Sequence, residues 1–387
     1  MKMTLKDTCE FYSGTGFPTV YQGSASGKYP FYKVGDISKN VQQGYKFLEI
    51  CDNYIDDDIF NQIKGVLIPK NSIAFAKIGE ALKLNRRAIT KQDCLVDNNA
   101  VAICPNQAIL DVDYFYYFMR TVNLTEYSSS TTVPSVKKSS LEKIQLPVPT
   151  LNEQKNIANE LNSINNALSL AKQRLLSLDE LVKSRFIEMF GEPLSNSKGY
   201  DLTDYGSLFE LNAGGTPSKN KPEYWVDGNI SWIGSNMCQD TILYENDGKY
   251  ITELGFNNSS ARKFPINTVL VALVGATIGK TALLKFETTT NQNVLGIRGI
   301  EESGNNPYFV FYYTQGLHKL FLDIGDGGFA MASKSFISKL PFPIVDISLQ
   351  NEFAEFVKLI DKSKFIVQQQ IKDLEELLDS KMDEYFR

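Results

Sequence analysis

Two copies of one sequence pattern follow each other along this chain of 387 residues, and this duplication limits the folds that it can adopt. When the chain is aligned with itself at an offset of 196 residues, Pro69 to Gly79 matches Pro265 to Gly275. The same offset matches Lys138-Ser139 with Lys334-Ser335 and runs from there without a gap to Phe190 and Phe386, while "NNAV" near Asn98 matches "NQNV" near Asn291 at 193. A period this long indicates duplicated domains, because solenoid repeats are about 20–50 residues long.

Each copy ends in a segment that predicts a long helix. Neither the segment from Leu151 to Phe190 nor that from Leu349 to Phe386 contains glycine or proline. A helix of about 36 residues would be about 55 Å long. Apolar residues recur in both segments at alternating steps of four and three, a heptad seam that favours pairing of the two helices as a coiled coil. The predicted helix-pairing residues are Ile157, Leu161, Ile164, Leu168, Leu175, Leu178, Val182, Phe353, Val357, Ile360, Ile371, Leu374 and Leu378.

One polar residue, Lys364, interrupts this seam, and a polar residue at such a position often fixes the register of two helices. The alternative is that each apolar stripe packs only on its own globular part. We favour pairing of the helices, since two helices of equal length and matching pattern are natural partners for each other.

The remainder of each copy mixes short strands with a few helices, so we predict an α+β fold. Runs such as "IAFAKIG" and "NTVLVALVG" are typical of buried strands, whereas "DVDYFYYFMRTVNL" and "PYFVFYYTQGLHKLFL" predict aromatic-rich helices. The predicted organisation is a pseudo-two-fold internal repeat of two globular domains separated by two long antiparallel coiled-coil helices. The predicted boundaries are 1–148 and 193–343 for the globular domains, and 149–192 and 344–387 for the helices.

Composition argues against several kinds of chemistry. The single histidine, His318, lies in an apolar helical pattern, so a histidine-based triad or zinc site is not expected. The five cysteines are scattered and none forms a C-x-x-C pair, which is typical of reduced thiols in the cytoplasm. We found no apolar run long enough for a transmembrane helix and no apolar leader at the start. We therefore expect a cytoplasmic protein without a metal site.

The stretch "LVALVGATIGKTALL", from Leu270 to Leu284, is close to a nucleotide-binding P-loop. That loop requires G-x-x-x-x-G-K-[ST], but Val274 stands where its first glycine should be. The first copy has Lys83 and Leu84 in place of Gly279 and Lys280. We therefore interpret this stretch as a buried strand that ends in a tight glycine turn.

Several phrases of the sequence, in their order, resemble a known family. In the second copy these are "LNAGGTPSKNKPEYW", "ISWIGSNM", "FPINTVLVALVGATIGKTAL" and "NQNVLGI", followed by "ASKSFISKLPFPIVDISLQNEFAEFVKLIDKS". In the first copy, "LEKIQLPVPTLNEQKNIANELNSI" takes the place of the last phrase, while "SGTGFPTVYQ" and "PFYKVGDIS" are weaker echoes. Together they resemble the specificity (S) subunits of type I restriction–modification systems, over essentially the whole chain.

The resemblance implies that each globular domain is a target recognition domain that reads a short block of double-stranded DNA. The helices would set the gap between the blocks, so the whole site would be asymmetric and bipartite, by the half-site spacing argument for dimeric readers. It also implies a non-catalytic chain without a cofactor of its own. The chemistry would come from two methyltransferase (M) subunits, which bind S-adenosylmethionine, and from motor-nuclease (R) subunits, which bind ATP and Mg. The M subunits would dock on the exposed sides of the two long helices.

The net charge of −5 argues against DNA binding in general, but basic residues are concentrated locally. Seven basic residues and one acid lie between Lys64 and Lys91. Arg87 and Lys280 are the candidates for base contacts, because Arg or Lys on guanine is the commonest specific contact. The alternative for each lysine is an ordinary solvated charge. The predicted DNA-binding residues are Lys77, Lys83, Arg86, Arg87, Lys137, Lys138, Thr216, Ser218, Lys219, Lys221, Trp232, Lys280 and Lys334.

Two other classes of function remain open from the sequence. One is a scaffold whose duplicated domains bind proteins, and the other is a P-loop enzyme that binds ATP. A variant of the DNA-reading interpretation is a subunit of a related system in which methylation and cleavage reside in one other polypeptide.

Overall fold

The computed structural model describes residues 1–129, 133–299, 304–324 and 331–387. It forms two compact units. Unit 1 comprises Met1–Arg174 and Val367–Arg387, and unit 2 comprises Leu175–Ile366. Unit 1 is therefore assembled from both ends of the chain, and each of the two longest helices contributes to both units.

Unit 1 contains nine strands and six short helices within its described residues. The strands are β1 Lys2–Thr4, β2 Cys9–Ser13, β3 Tyr29–Tyr32, β4 Tyr54–Ile55, β5 Ile73–Ala76, β6 Arg87–Ile89, β7 Leu95–Val96, β8 Ala100–Pro105 and β9 Gln145–Pro147. The helices are α1 Leu5–Thr8, α2 Val34–Gln42, α3 Asp57–Gln62, α4 Glu80–Lys83, α5 Val112–Thr121 and α6 Lys138–Leu141, with 3-10 turns at Thr19–Tyr21 and Leu124–Tyr127.

The main sheet of unit 1 is antiparallel, with strand order β2-β8-β5-β6. Successive side chains of a strand point to opposite faces. Ile73 and Phe75 of β5 therefore face a core that includes the aromatic helix α5, while Ala74 faces a second core that includes α2. Burial on both faces explains why β5 is apolar throughout. A second sheet has the order β4-β3-β7, and β1 pairs with β9.

Unit 2 repeats this arrangement. Its strands are β10 Leu202–Asp204, β11 Phe209–Ala213, β12 Ile230–Ile233, β13 Thr241–Leu243, β14 Tyr250–Ile251, β15 Lys263–Phe264, β16 Val269–Ala272, β17 Thr281–Leu284, β18 Thr288–Thr290, β19 Val294–Gly299 and β20 Pro341–Pro343. Its short helices are α7 Tyr205–Leu208, α8 Glu253–Asn257, α9 Pro307–Gly316, α10 His318–Leu322 and α11 Lys334–Ser338, with 3-10 turns at Pro222–Tyr224, Ser235–Met237 and Gly275–Thr277.

The sheets of unit 2 are β11-β19-β16-β17-β13 and β14-β12-β18-β15, and β10 pairs with β20. Each unit-1 sheet thus recurs in the same order, with β13 and β15 added at the edges. The duplication extends to single side chains. Gln154 accepts a hydrogen bond from Asp111 N at 2.8 Å, and Gln350 accepts one from Asn306 N at 2.9 Å. Asp111 and Asn306 cap the aromatic helices α5 and α9, so both buried glutamines fasten equivalent helices.

The two long helices span Leu151–Phe190 (α12) and Ile347–Phe386 (α13), with 40 residues each. In unit 1 they run antiparallel, since Glu160 meets Lys381 at 3.3 Å and Lys172 meets Glu375 at 2.7 Å. In unit 2 they also run antiparallel, since Asp179 pairs with Lys364 at 2.5 Å and Arg185 pairs with Glu352 at 3.0 Å. All thirteen predicted helix-pairing residues are buried or half-buried.

Lys364 lies among charged neighbours in unit 2. Its Nζ is 2.5 Å from Asp179 Oδ1 on α12 and 3.9 Å from Asp361 Oδ1 on α13. Asp361 Oδ2 is buried and has no hydrogen-bond partner among the described residues. Burial raises the pKa of the Asp361 carboxyl, and the nearby Asp179 adds to the rise, although Lys364, Lys285 and a hydrogen bond with Tyr244 oppose it. The ionised carboxylate is therefore disfavoured in the folded unit.

The stability of unit 2 should depend on this carboxyl. Because the folded state binds the Asp361 proton more tightly than the unfolded chain, the contribution of Asp361 is lost as pH rises from about 4 through the raised pKa. We expect Asp361→Asn to stabilise unit 2 at pH 7 and to have less effect at pH 4. Urea unfolding of both proteins at the two pH values measures this. If Asp361→Asn is instead less stable than the wild type, by a difference that grows with pH, then attraction between the Asp361 carboxylate and Lys364 dominates.

Within the described part of the chain, no helix is long and apolar enough to cross a membrane. The same residues include no group of three His, Cys, Asp or Glu side chains placed to hold a metal ion.

Candidate nucleic-acid interface

Four loops of unit 1 meet at one edge of the main sheet, and backbone hydrogen bonds join them. Thr15 N donates to Val96 O at 2.8 Å, which joins the loop after β2 to the turn between β7 and β8. Lys77 N donates to Asn99 O at 2.9 Å, and Val136 N donates to Lys77 O at 2.9 Å. The loop after β5 therefore lies between that turn and the segment leading to α6.

Unit 2 builds the same edge from the equivalent loops. Gly215 N donates to Thr290 O at 2.8 Å, which joins the loop after β11 to the turn between β18 and β19. Leu273 N donates to Asn293 O at 2.8 Å, and Ala332 N donates to Leu273 O at 2.9 Å. We call each of these surfaces the four-loop edge of its unit.

Two glycines allow the loop after β11 to approach its neighbours closely. A Cβ at Gly214 would collide with Thr290, and one at Gly215 would collide with Ser260. Both indoles support this loop, because Trp232 Nε1 donates to Gly215 O at 3.2 Å and Trp225 Nε1 donates to Ser218 O at 3.1 Å. Backbone approach of this kind is a common reason for glycine in a loop.

Trp232 corrects one sequence prediction. Its side chain is buried and packs edge-on against Trp225, with ring centroids 5.1 Å apart. A base could not stack on it without displacing the loop that it supports. Trp232 therefore positions the edge rather than forming its surface.

Arg87 corrects another. Only 2 % of the residue is exposed, because it begins β6, an edge strand that α5 packs against. Its guanidinium donates to Val122 O, just after α5, at 2.6 Å and to Asn85 O, just after α4, at 2.5 Å. Burial lowers the pKa of Arg87, but a guanidinium stays protonated in proteins. In this position Arg87 joins α5 to the sheet and cannot reach a DNA base, whereas Arg86 beside it is partly exposed.

Several predicted cations lie on or beside the edges. Lys77 and Lys137 belong to the unit 1 edge, while Lys334 follows the unit 2 loop at Ala332 and is exposed. Lys138 is exposed beside the Phe11 ring, with Nζ 5.6 Å from its centroid. Lys83, further along on α4, is in an exposed ion pair with Glu80 at 2.7 Å.

The loop that begins at Gly214 carries four more predicted residues. Ser218, Lys219 and Lys221 are exposed, and Lys221 Nζ donates to the Tyr224 hydroxyl at 2.9 Å. Thr216 is half-buried at the edge itself, where its hydroxyl donates to Gln292 Oε1 at 2.5 Å.

Sequence reasoning missed the amide side chains at the centre of both edges. Asn98 and Asn99 in unit 1 and Gln292 in unit 2 are exposed at the turn before β8 or β19. The paired phrases "NNAV" and "NQNV" are the signal that could have identified them. Amides beside lysines suit DNA, since amides can read base edges while cations contact phosphates.

The P-loop-like stretch has another structure. Strand β17 follows the turn, where a phosphate-binding loop would lead into a helix. The N–H and hydroxyl of Thr281 are both bonded to Asp240 Oδ1, at 2.9 and 3.1 Å, so a carboxylate occupies these donors. Lys280 Nζ donates to Gln239 Oε1 at 2.9 Å. His318 Nε2 lies 2.9 Å from Ile278 O and braces the same turn.

The fold and its two similar edges define a class of protein: a duplicated α+β chain with two separate polar loop surfaces. The family model described as the type I restriction modification DNA specificity domain matches residues 1–180 and 198–376. The chain therefore belongs to the type I restriction–modification DNA specificity family, with one copy of the domain in each half.

Individual relatives agree with this assignment. The chain is 26% identical over 272 residues to the type I restriction enzyme EcoR124I/EcoR124II specificity subunit of Escherichia coli, covering 68% of this chain and 65% of that one. It is 22% identical to the putative type I restriction enzyme MjaX specificity subunit of Methanocaldococcus jannaschii, over 80% of this chain and 76% of that one. Its fold is similar to the type I S subunit from M. genitalium, with a TM-score of 0.58, 14% identity and coverage of 100% and 96%.

Proposed function

We propose that this chain is the DNA-reading specificity subunit of a type I restriction–modification complex. Each unit reads one block of an asymmetric, two-part DNA site through its four-loop edge. The observation that carries this proposal is that one edge is built twice from equivalent loops but displays different side chains, with Asn98-Asn99 in unit 1 and Gln292-Asn293 in unit 2. Two similar edges with different chemistry suit two different half-sites.

The long helices would set the distance between the half-sites. We propose that α12 and α13 pair as an antiparallel coiled coil, supported by their antiparallel ion pairs within each unit and by their buried seams. Each helix of 40 residues is about 60 Å long. On this proposal the globular domains are 1–148 and 193–343, and the helical regions are 149–192 and 344–387.

The chemistry would reside in partner subunits. We propose that two M subunits bring S-adenosylmethionine and that R subunits bring ATP and Mg, while this chain supplies DNA specificity in the cytoplasm. Exposed apolar side chains on the long helices support the docking of M subunits there, because a solvated helix face rarely carries so many. In unit 2 these side chains are Leu176, Leu181, Ile187, Ile347, Leu359, Phe365 and Ile366.

Deleting the gene for this chain should remove one asymmetric, two-part motif from the map of methylated adenines in the cell, since no other subunit would specify that site. The measurement is a genome-wide methylation map with the gene intact, deleted and restored on a plasmid.

The deletion must leave the M gene expressed, so the amount of M subunit is measured in each strain as the control. Loss of a two-part motif that returns on complementation supports the proposal. If the complemented strain shows the same methylated motifs as the deletion strain, a DNA-specifying role of this chain is contradicted.

A further inference from the structure

We propose that Gln292, held by Thr216, is a specificity-determining residue of unit 2 that reads an acceptor-rich base edge such as that of guanine. This inference rests on the proposed DNA-reading function and names the side chain that discriminates one base pair of the half-site. Gln292 is exposed at the tip of the turn between β18 and β19, the central loop of the four-loop edge.

The turn that carries Gln292 is well fixed. Asn291 N donates to Ile233 O at 3.1 Å, and Asn291 Oδ1 accepts from Asn293 N at 3.1 Å. Behind it, Asn293 O accepts from Leu273 N, the first residue after β16. Because the turn is already ordered, binding of a ligand to a residue at its tip costs little conformational entropy. Such a residue is suited to specific recognition.

Thr216 then fixes the side chain itself. Its hydroxyl donates to Gln292 Oε1 at 2.5 Å across two loops that are distant in sequence. Thr216 follows Gly215, whose N–H is bonded to Thr290 O and whose carbonyl accepts from Trp232. The buried Trp232 indole thus fixes the loop at Gly215, and the hydroxyl of the next residue, Thr216, fixes the exposed amide of Gln292.

This support selects what Gln292 can bind. A glutamine that pairs with adenine uses its oxygen and its nitrogen together. Here Thr216 occupies one of the two lone pairs of the oxygen and holds this atom against the loop after β11, and no other hydrogen bond to the Gln292 side chain occurs within the described residues. The two amide N–H donors are left for the ligand. Two donors match the N7 and O6 acceptors of guanine in the major groove.

Unit 1 is different at the same place. Asn98 occupies the position of Gln292 in the corresponding turn, because the bond from Lys77 N to Asn99 O matches that from Leu273 N to Asn293 O. Gly16 lies where unit 2 has Thr216 and offers no hydroxyl. Asn98 is exposed, and its side chain makes no hydrogen bond to the described part of the chain. It therefore presents both a donor and an acceptor, the combination that pairs with adenine. The two units would read different base edges with related residues.

The test is binding of a family of DNA duplexes to the complex of this chain with its M subunit, after the methylation map has given the wild-type motif. Each duplex carries one substituted base pair. We expect Gln292→Ala to reduce discrimination at one guanine-containing pair of one half-site by roughly tenfold to a hundredfold, the range of a single base contact. The other half-site should be read as before.

Thr216→Val removes the hydroxyl while keeping the shape of the side chain, and it should relax discrimination at the same base pair to a smaller extent. Asn267→Gly removes an exposed amide at the opposite end of β16, where a φ of 69° suits glycine; it is the control and should leave every position unchanged. If Gln292→Ala does not assemble, Thr216→Val decides the question alone.

Different results would overturn the proposed function and the role of Gln292. A wild-type complex without sequence preference would overturn the proposed function. A wild-type complex with a clear motif, together with a Gln292→Ala complex that reads the identical motif, overturns only this inference. So does a variant that binds all duplexes more weakly by one common factor, because Gln292 would then contact the DNA backbone.

Discussion

Val357→Asp is expected to unfold unit 2. Val357 is fully buried on α13, in the core that also contains Val182 and Phe353. An aspartate there would leave an unpaired carboxylate in an apolar core, which costs about 3–5 kcal/mol. That is a large share of the 5–15 kcal/mol by which a folded domain is typically stable. Both tryptophans of the chain lie in unit 2, so urea unfolding followed by tryptophan fluorescence reports on this unit.

The matched control is Leu359→Asp, two residues further along the same helix. Leu359 is 62% exposed, so its replacement should leave the urea midpoint nearly unchanged. If the exposed apolar side chains bind M subunits, the same variant should weaken complex formation while remaining folded. A Val357→Asp protein as stable as wild type would contradict the buried position of α13.

Arg87→Ala is expected to destabilise unit 1 by about 2–4 kcal/mol, because the buried carbonyl of Val122 and the half-buried carbonyl of Asn85 lose their donor and a cavity remains. Unit 1 contains no tryptophan, so its unfolding is followed by hydrogen exchange of β5 and β6. DNA affinity, corrected for the folded fraction, should be unchanged.

Arg86→Ala serves as the comparison, because Arg86 is adjacent in sequence but partly exposed. It should change stability by less than about 0.5 kcal/mol. A stable Arg87→Ala protein that had lost DNA specificity would show that Arg87 reaches the DNA after all, contrary to its burial here.

The sequence predicted the larger elements well, because periodic burial leaves a regular trace. The heptad seam runs through residues that are indeed buried or half-buried, and the two aromatic runs form α5 and α9. The offset of the repeat also placed the equivalent strands β5 and β16. The α+β class and the two domains are confirmed by the family match and the similar fold.

Single side chains at the edges were harder to predict. Arg87 and Trp232 have the residue types of DNA-binding surfaces, but their burial depends on partners distant in sequence, Val122 and Gly215. Asn98 and Gln292 attract no attention in a search for charge, since an uncharged amide in a turn is common. They become candidates for DNA contacts only because the fold brings four loops together around them. The remaining predicted DNA contacts stay predictions.

Unit 1 consists of two segments that are distant in sequence, and this affects the order in which the protein can fold during synthesis. Its core includes Met382 and Phe386, and the Phe386 ring packs on Tyr114 with centroids 5.1 Å apart. At a synthesis rate of about 5–20 residues per second, the ribosome would need roughly 10–40 s to make the intervening unit 2 before these residues appear. Unit 2 is thus the first that can close its core, although it comes second in sequence. Until Met382 and Phe386 are made, the first half of the nascent chain exposes the apolar surface that they cover, which is the kind of surface that chaperones bind.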